Sequence, residues 1–298
     1  MYISTEMDII PSVFRFVFLN FCFQVVVASL APYTQIFLRN KGYSHSFVGV
    51  VVAVGQISSI LFPLFVSALA DKLKRTKILL VALMVISILM LIPSMLIGSA
   101  VLTLALFFLS MGFFHCLNPV IDGYQNRMLE GDSRKYGMAR SGGTMGYVLA
   151  LALFSITNFP DETSNISISK GIVITAILFM FSLLFIPNDR STEEEVEAEV
   201  KEEGSLLRCG VFSRRFYLMM LVIGLSRIAH AVPDKLLSSY MVEVLGLGGD
   251  FALFVSLGAL SEFVMMIVGG ILLQKKRTTP YTMILLSCIA LVVRLLSP

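Results

Sequence analysis

The chain of 298 residues is 56% hydrophobic and only 14% charged, with a formal net charge of +3. A soluble domain carries about a quarter charged residues, so a water-facing globule is excluded; the apolar runs instead reach the roughly 20 residues that cross a bilayer. Four cysteines scattered singly, Cys22, Cys116, Cys209 and Cys288, give neither a metal-ligand spacing nor a disulfide framework.

Nine transmembrane helices are expected, because a backbone in lipid must satisfy its own hydrogen bonds. Span one, 12–38, carries Asn20 and Gln24, and lacks the basic n-region and small-residue cleavage site of a signal peptide, so it reads as uncleaved. Arg39 and Lys41 follow it, then span two, 46–70, with Gln56. "SALADKLKRTK", residues 67–77, sets Asp71 among Lys72, Lys74, Arg75 and Lys77 before span three, 77–97. Span four, 100–126, leads through "RMLEGDSRKYGMAR" to span five, 139–157, and span six is expected over 170–187. The acidic stretch 188–212 reads as a cytoplasmic linker between an N-terminal six-helix bundle, 1–187, and a partial C-terminal bundle, 213–298. The latter holds spans 213–246, 251–273 and 280–297, and its last loop carries Lys275, Lys276 and Arg277.

Cations crowd alternate loops. By the positive-inside rule those loops and the N-terminus face the cytoplasm, in an integral protein of the plasma (inner) membrane. "SALADKLKRTK" and "GILLQKKRTTP", 270–280, occupy equivalent places six spans apart. A repeat of this kind is what transporters show; the plainer reading is that any cytoplasmic loop collects cations.

Asp122, Arg140, Arg227, His230, Asp234, Glu262 and Arg294 fall inside or at the edges of spans. Facing lipid, the acids and arginines together would cost on the order of 15 kcal/mol, so they are expected to face one another or a wet cavity. His115, Asn118, Asp122 and Gln125 share one face of span four; Arg140, Thr144 and Tyr147 share one of span five. Gly142, Gly143 and Gly146 there allow a neighbouring backbone to come close. Asp122 and Arg140 either form a permanent ion pair pinning two helices or contact a solute. Tyr147 either packs or offers a ring face, and His230 is either a satisfied buried histidine or a proton carrier.

These residues resemble the major facilitator superfamily. Its loop between helices two and three reads Gly-x-x-x-Asp-(Arg/Lys)-x-Gly-x-(Arg/Lys)-(Arg/Lys), matched here by Asp71, Lys72, Arg75 and Lys77, with Ser67 and Lys74 in place of the glycines and Gln274 in place of the acid in the second copy. Within the superfamily the stretch "PVIDGYQNRMLEGDSRKYGMARSGGTMGY" is similar to the sugar-contacting part of the lactose permease and nucleoside:proton symporter-like branch. The resemblance puts the binding carboxylate on Asp122, its arginine partner on Arg140 and the stacking aromatic on Tyr147. It puts the proton-coupling arginine on Arg294, in "VVRLLS", and a coupling glutamate on Glu262. On helix seven His230 stands where an acid is expected and Asp234 is displaced. Only nine of twelve helices are matched, so a fragment of a longer permease is expected.

The expected function is alternating-access transport of a small polar solute, a sugar or nucleoside, by proton-coupled symport. Asp122, Arg140, Tyr147, Asn118 and Gln24 would bind solute; Glu262, Arg294, His230 and Asp234 would handle the proton; Asp71 with Lys72, Arg75 and Lys77 would form a cytoplasmic latch. Drug or metabolite efflux, or a non-transporting, solute-sensing membrane protein, are the rivals. No nucleophile–base pairing, metal-ligand spacing or phosphate loop points to an enzyme, and "LGLGGD", 245–250, merely joins two spans. The short juxtamembrane basic runs suit anionic lipid, not nucleic acid; no cofactor beyond the coupling proton is expected, and the chain is expected to be monomeric.

Overall fold

The structure is a computed structural model that describes residues 4–73, 75–187, 240–246, 253–258 and 278–296, together with 217–218, 221–222, 224–225, 260, 268 and 272. Every regular element among the described residues is helical. In chain order they are α1 (Ser4–Leu30), α2 (Tyr33–Asn40), α3 (His45–Leu73), α4 (Thr76–Leu96), α5 (Ala100–Met128), α6 (Ser133–Thr157), α7 (Asn165–Ser182), a 3-10 turn (Leu183–Phe185), a π-helical turn (Tyr240–Val244) and α8 (Pro280–Leu296). Five described helical stretches are long and apolar enough to cross a membrane: Val13–Asn40, His45–Val66, Thr76–Leu96, Ala100–Met128 and Asn165–Phe185.

The chain divides into two compact units, Met1–Arg190 with Met241–Leu260, and Ser191–Tyr240 with Ser261–Pro298. In the first, α1 packs on α6 and α7, while α5 packs on α3 and α4. The second contains α8, a 17-residue helix.

Span one differs from the single helix that its apolar run predicts. A turn at Ala31 and Pro32 separates α1 from α2, since proline has no N–H to continue the ladder and its ring crowds the preceding turn. Span five differs too, beginning at Ser133 instead of 139. Asp132 caps it, its carboxylate Oδ1 accepting from the Lys135 backbone N–H at 3.2 Å. Such a cap satisfies one of the helix's orphan donors. Gly131, at φ +67°, turns the chain out of α5 just before this cap.

The α1–α6 seam is backbone against backbone. A Cβ on Gly142 would stand 2.6 Å from the Val17 carbonyl oxygen, and one on Gly146 would stand 2.4 Å from that of Phe21. Only glycine permits this approach, which replaces the missing hydrophobic drive between helices in lipid with close packing. Deeper in the unit, Phe16 meets Tyr124 edge-on with ring centroids 5.8 Å apart, and Phe23 lies between Phe114 and Phe179. Hydrogen bonds cross the same interfaces: Asn20 Nδ2 donates to Gln125 Oε1 at 2.7 Å, and the Ser29 and Thr175 hydroxyls stand 2.8 Å apart.

Candidate functional site

The Asp132 cap sets the register of α6, and with it the position of Arg140 two turns on. One residue of the preceding turn matters: Tyr136 lies four residues before Arg140, so the two share a helix face. From the facing helix, Asp122 lies one turn beyond Asn118 on α5. Arg140 Nη1 donates to both Asp122 carboxylate oxygens, at 3.0 Å to Oδ1 and 2.9 Å to Oδ2, and to the Tyr136 hydroxyl oxygen at 3.0 Å.

One nitrogen of the guanidinium makes all three contacts. Among the described residues, Nη2 and Nε of Arg140 make no hydrogen bond, and the side chains of Arg140 and Asp122 are 49% and 30% exposed. The pair is therefore partly exposed. It keeps a cationic donor edge open, of a kind suited to charge-assisted bonds with hydroxyl or carbonyl oxygens.

The remaining expected binding residues lie on α5, α6 and α1. Asn118 is exposed on α5. Tyr147, seven residues beyond Arg140, is half-buried and packs against the apolar core. Gln24, on α1, lies against α6, its Cγ 2.9 Å from where a Cβ on Gly143 would be. The face shared by Asp122 and Gln125 divides in depth: Gln125 is fully buried, bonded to Asn20, and its Nε2 donates to the Tyr136 carbonyl oxygen at 3.4 Å. Tyr136 thus joins the buried Asn20–Gln125 pair to the open Asp122–Arg140 pair, through its carbonyl on one side and its hydroxyl on the other. The sequence reading missed Tyr136 because it began span five at 139; the signal was present as the Asp132 cap followed by a tyrosine four residues before the arginine.

The residues expected to couple the proton, Glu262, His230 and Asp234, lie outside the described residues, as does Arg227. Arg294 falls within α8, but its side chain lies outside the described residues. Of the residues expected to form a latch, Asp71 and Lys72 belong to the last turn of α3, with side chains likewise outside the described residues. Arg75 is exposed between α3 and α4, and Lys77 is half-buried in the first turn of α4.

A second polar cluster closes the opposite end of the unit, at the ends of the spans. Lys41 Nζ donates to the Ser94 carbonyl oxygen at 2.6 Å and to Thr103 Oγ1 at 2.7 Å, and lies 5.2 Å from the centre of the Tyr43 ring. Nearby, Asn40 Nδ2 donates to the Glu162 carbonyl oxygen at 2.5 Å and to Asn165 Oδ1 at 3.2 Å. Burial, reinforced by the neighbouring Asp161 charge, pushes the Glu162 carboxyl up to about 7.

Residues 14–297 match the model of the MFS_1 like family. The structure is similar to the crystal structure of the nucleoside transporter NupG, with a TM-score of 0.65 and 14% identity over 88% of this chain and 68% of that one. A point variant of the same transporter matches with the same values. No curated protein matches.

Proposed function

The chain belongs to the MFS_1 like family and is a membrane transporter of small solutes with the major-facilitator fold, and from that premise we propose that its solute is a sugar or nucleoside, moved by alternating access in symport with a proton. The observation that carries this reading is the half-open Asp122–Arg140 pair, whose Nη2 and Nε edge is unspent among the described residues. A ribose or hexose offers vicinal hydroxyls that accept from a guanidinium fork and donate to a carboxylate, so both members of the pair gain partners. Asn118 and Gln24 would add neutral hydrogen bonds and Tyr147 a ring face for the apolar side of the solute. The nucleoside class is further supported by the likeness in fold to a nucleoside transporter.

Proton coupling is assigned to Glu262 and Arg294, with His230 and Asp234 on the neighbouring span. Burial raises a carboxyl's pKa and a close arginine lowers it, so a change in their separation loads or releases a proton. Asp71, with Lys72, Arg75 and Lys77, serves as the cytoplasmic latch between two bundles, 1–187 and 213–298, joined by the linker 188–212. Half-to-half rocking about a central site is the motion such a latch controls. The protein acts as a monomer in the plasma membrane with its N-terminus cytoplasmic.

The test is counterflow of labelled nucleosides and sugars in vesicles holding the full chain, with Asp122→Asn as control. Exchange of one solute class that Asp122→Asn abolishes supports the reading; exchange unaffected by that change removes Asp122 from the site. Uptake that leaves the external pH unchanged removes the proton.

A further inference from the structure

Outside the solute site, the described residues form a groove of about 380 Å3 between the end of α4 and the outer side of α7. Its wall is Leu96, Phe159, Ile166, Val173 and Ile174, with Lys170 at its edge. Leu96, Ile166 and Ile174 are all more than half exposed, so the groove opens away from the bundle core. Ser169 also borders it, but its hydroxyl donates to the Asn165 carbonyl oxygen and to the Met95 sulfur, leaving the wall apolar.

Lys170 stands apart from the other cations at this end of the unit. Lys41 is held by Ser94 and Thr103, and Arg39 Nη1 donates to the Tyr43 carbonyl oxygen. Lys170 makes no ion pair or hydrogen bond among the described residues, and it is exposed. Of the two acids nearest in sequence, Glu162 is half-buried and forms no ion pair with Lys170 among the described residues, and Asp161 already accepts from the Thr163 backbone N–H and hydroxyl. A lone ammonium above an apolar trough, on a helix long enough to cross the membrane, calls for an anion with a hydrocarbon tail.

Depth agrees with that chemistry. Lys170 is the sixth residue of α7, which starts at Asn165, about 7–8 Å along the helix at 1.5 Å per residue. A lysine so placed reaches the headgroup level by extending its stem, while Val173 and Ile174 lie one turn further into the hydrocarbon. A soluble anion would gain from Lys170 and nothing from the trough; a neutral lipid would gain from the trough and nothing from Lys170. We propose that this groove binds one anionic phospholipid, its phosphate on Lys170 and an acyl chain along Leu96, Ile166, Val173 and Ile174.

The test is native mass spectrometry of the purified full chain titrated with phosphatidylglycerol or with phosphatidylcholine of the same acyl chains. The unmodified chain should retain the first about fivefold more tightly, the increment of one basic residue at a lipid surface. Lys170→Gln should erase that preference and Lys170→Arg should keep it. Val173→Trp, which fills a half-buried position of the trough without touching the core, should weaken retention of both lipids. Equal retention by all four proteins would overturn the proposal. So would glycerol phosphate competing as well as the intact lipid, since that outcome marks an anion site without a place for the tail.

Discussion

Lys41 and Arg140 are two cations of one helical unit whose donors are satisfied to different degrees. The Lys41 ammonium is spent: a carbonyl, a hydroxyl and an aromatic ring surround it, and it ties the loop after α2 to the ends of α4 and α5. The Arg140 guanidinium is spent on one nitrogen only and is half exposed. The difference teaches how to separate a fastener from a binding group when both are polar residues near a membrane. A fastener has its donors satisfied inside the fold, whereas a binding group keeps some directed outward.

The comparison breaks most readily at Arg140. Arg140→Gln should lower solute affinity about 100-fold, the loss of charge-assisted bonds worth about 1.5–3 kcal/mol, in an equilibrium binding assay. Its melting midpoint in detergent should stay within a few degrees, because a half-exposed ion pair contributes little stability. Lys41→Met should do the reverse. It leaves the Ser94 carbonyl and Thr103 hydroxyl short of a donor at a cost of about 2 kcal/mol, visible as a lower midpoint, with affinity within about twofold of the unmodified chain.

Tyr136→Phe sharpens the comparison on a smaller scale. Removing the hydroxyl that accepts from Arg140 frees the guanidinium to swing. Affinity should fall about tenfold, the low end for one neutral-to-charged hydrogen bond, while the backbone contact to Gln125 is kept. A Tyr136→Phe chain that binds as before would show that Arg140 needs no positioning beyond Asp122.

The smallest effect belongs to Glu162, beside the Lys41 end. Its carboxyl, pushed up to about 7, binds a proton more readily folded than unfolded, where the ordinary value is near 4.3. The folded state is therefore favoured below about 4.3, and that advantage drains away as pH rises to about 7. Glu162→Gln should match the unmodified midpoint in acid and exceed it above pH 7, by about 1 kcal/mol once solvent screening is allowed for. Parallel midpoints across that range would show that the carboxyl is not burdened by folding.

Much of this was readable from residue types. Long apolar runs announced the helices because lipid leaves the backbone no other economical choice. Gly142 and Gly146 announced a close neighbour, and the structure supplies α1 as that neighbour. The spacing of Asp122 and Arg140 on two polar faces pointed to their meeting, though not to which guanidinium nitrogen would be left open. What resisted reading was depth and the ends of elements. Asp122 and Gln125 share a helical face, yet one is partly exposed and the other fully buried; periodicity ranks faces, and the tilt of neighbouring helices sets depth. The first turn of α6 is too polar to register as membrane helix, so the apolar pattern leaves Tyr136 in a loop. Lys41 reads in sequence only as a loop charge, because its partners Ser94 and Thr103 are more than fifty residues away.

The most direct test of the account exchanges the two charges. A chain carrying Asp122→Arg together with Arg140→Asp keeps a salt bridge but turns the donor edge to the other helix. If Asp122 and Arg140 meet the solute, the exchanged chain should melt close to the unmodified one and bind labelled nucleosides or sugars at least 100-fold more weakly. Undiminished binding by the exchanged chain would contradict the account, because it would make the pair a pin between two helices and nothing more.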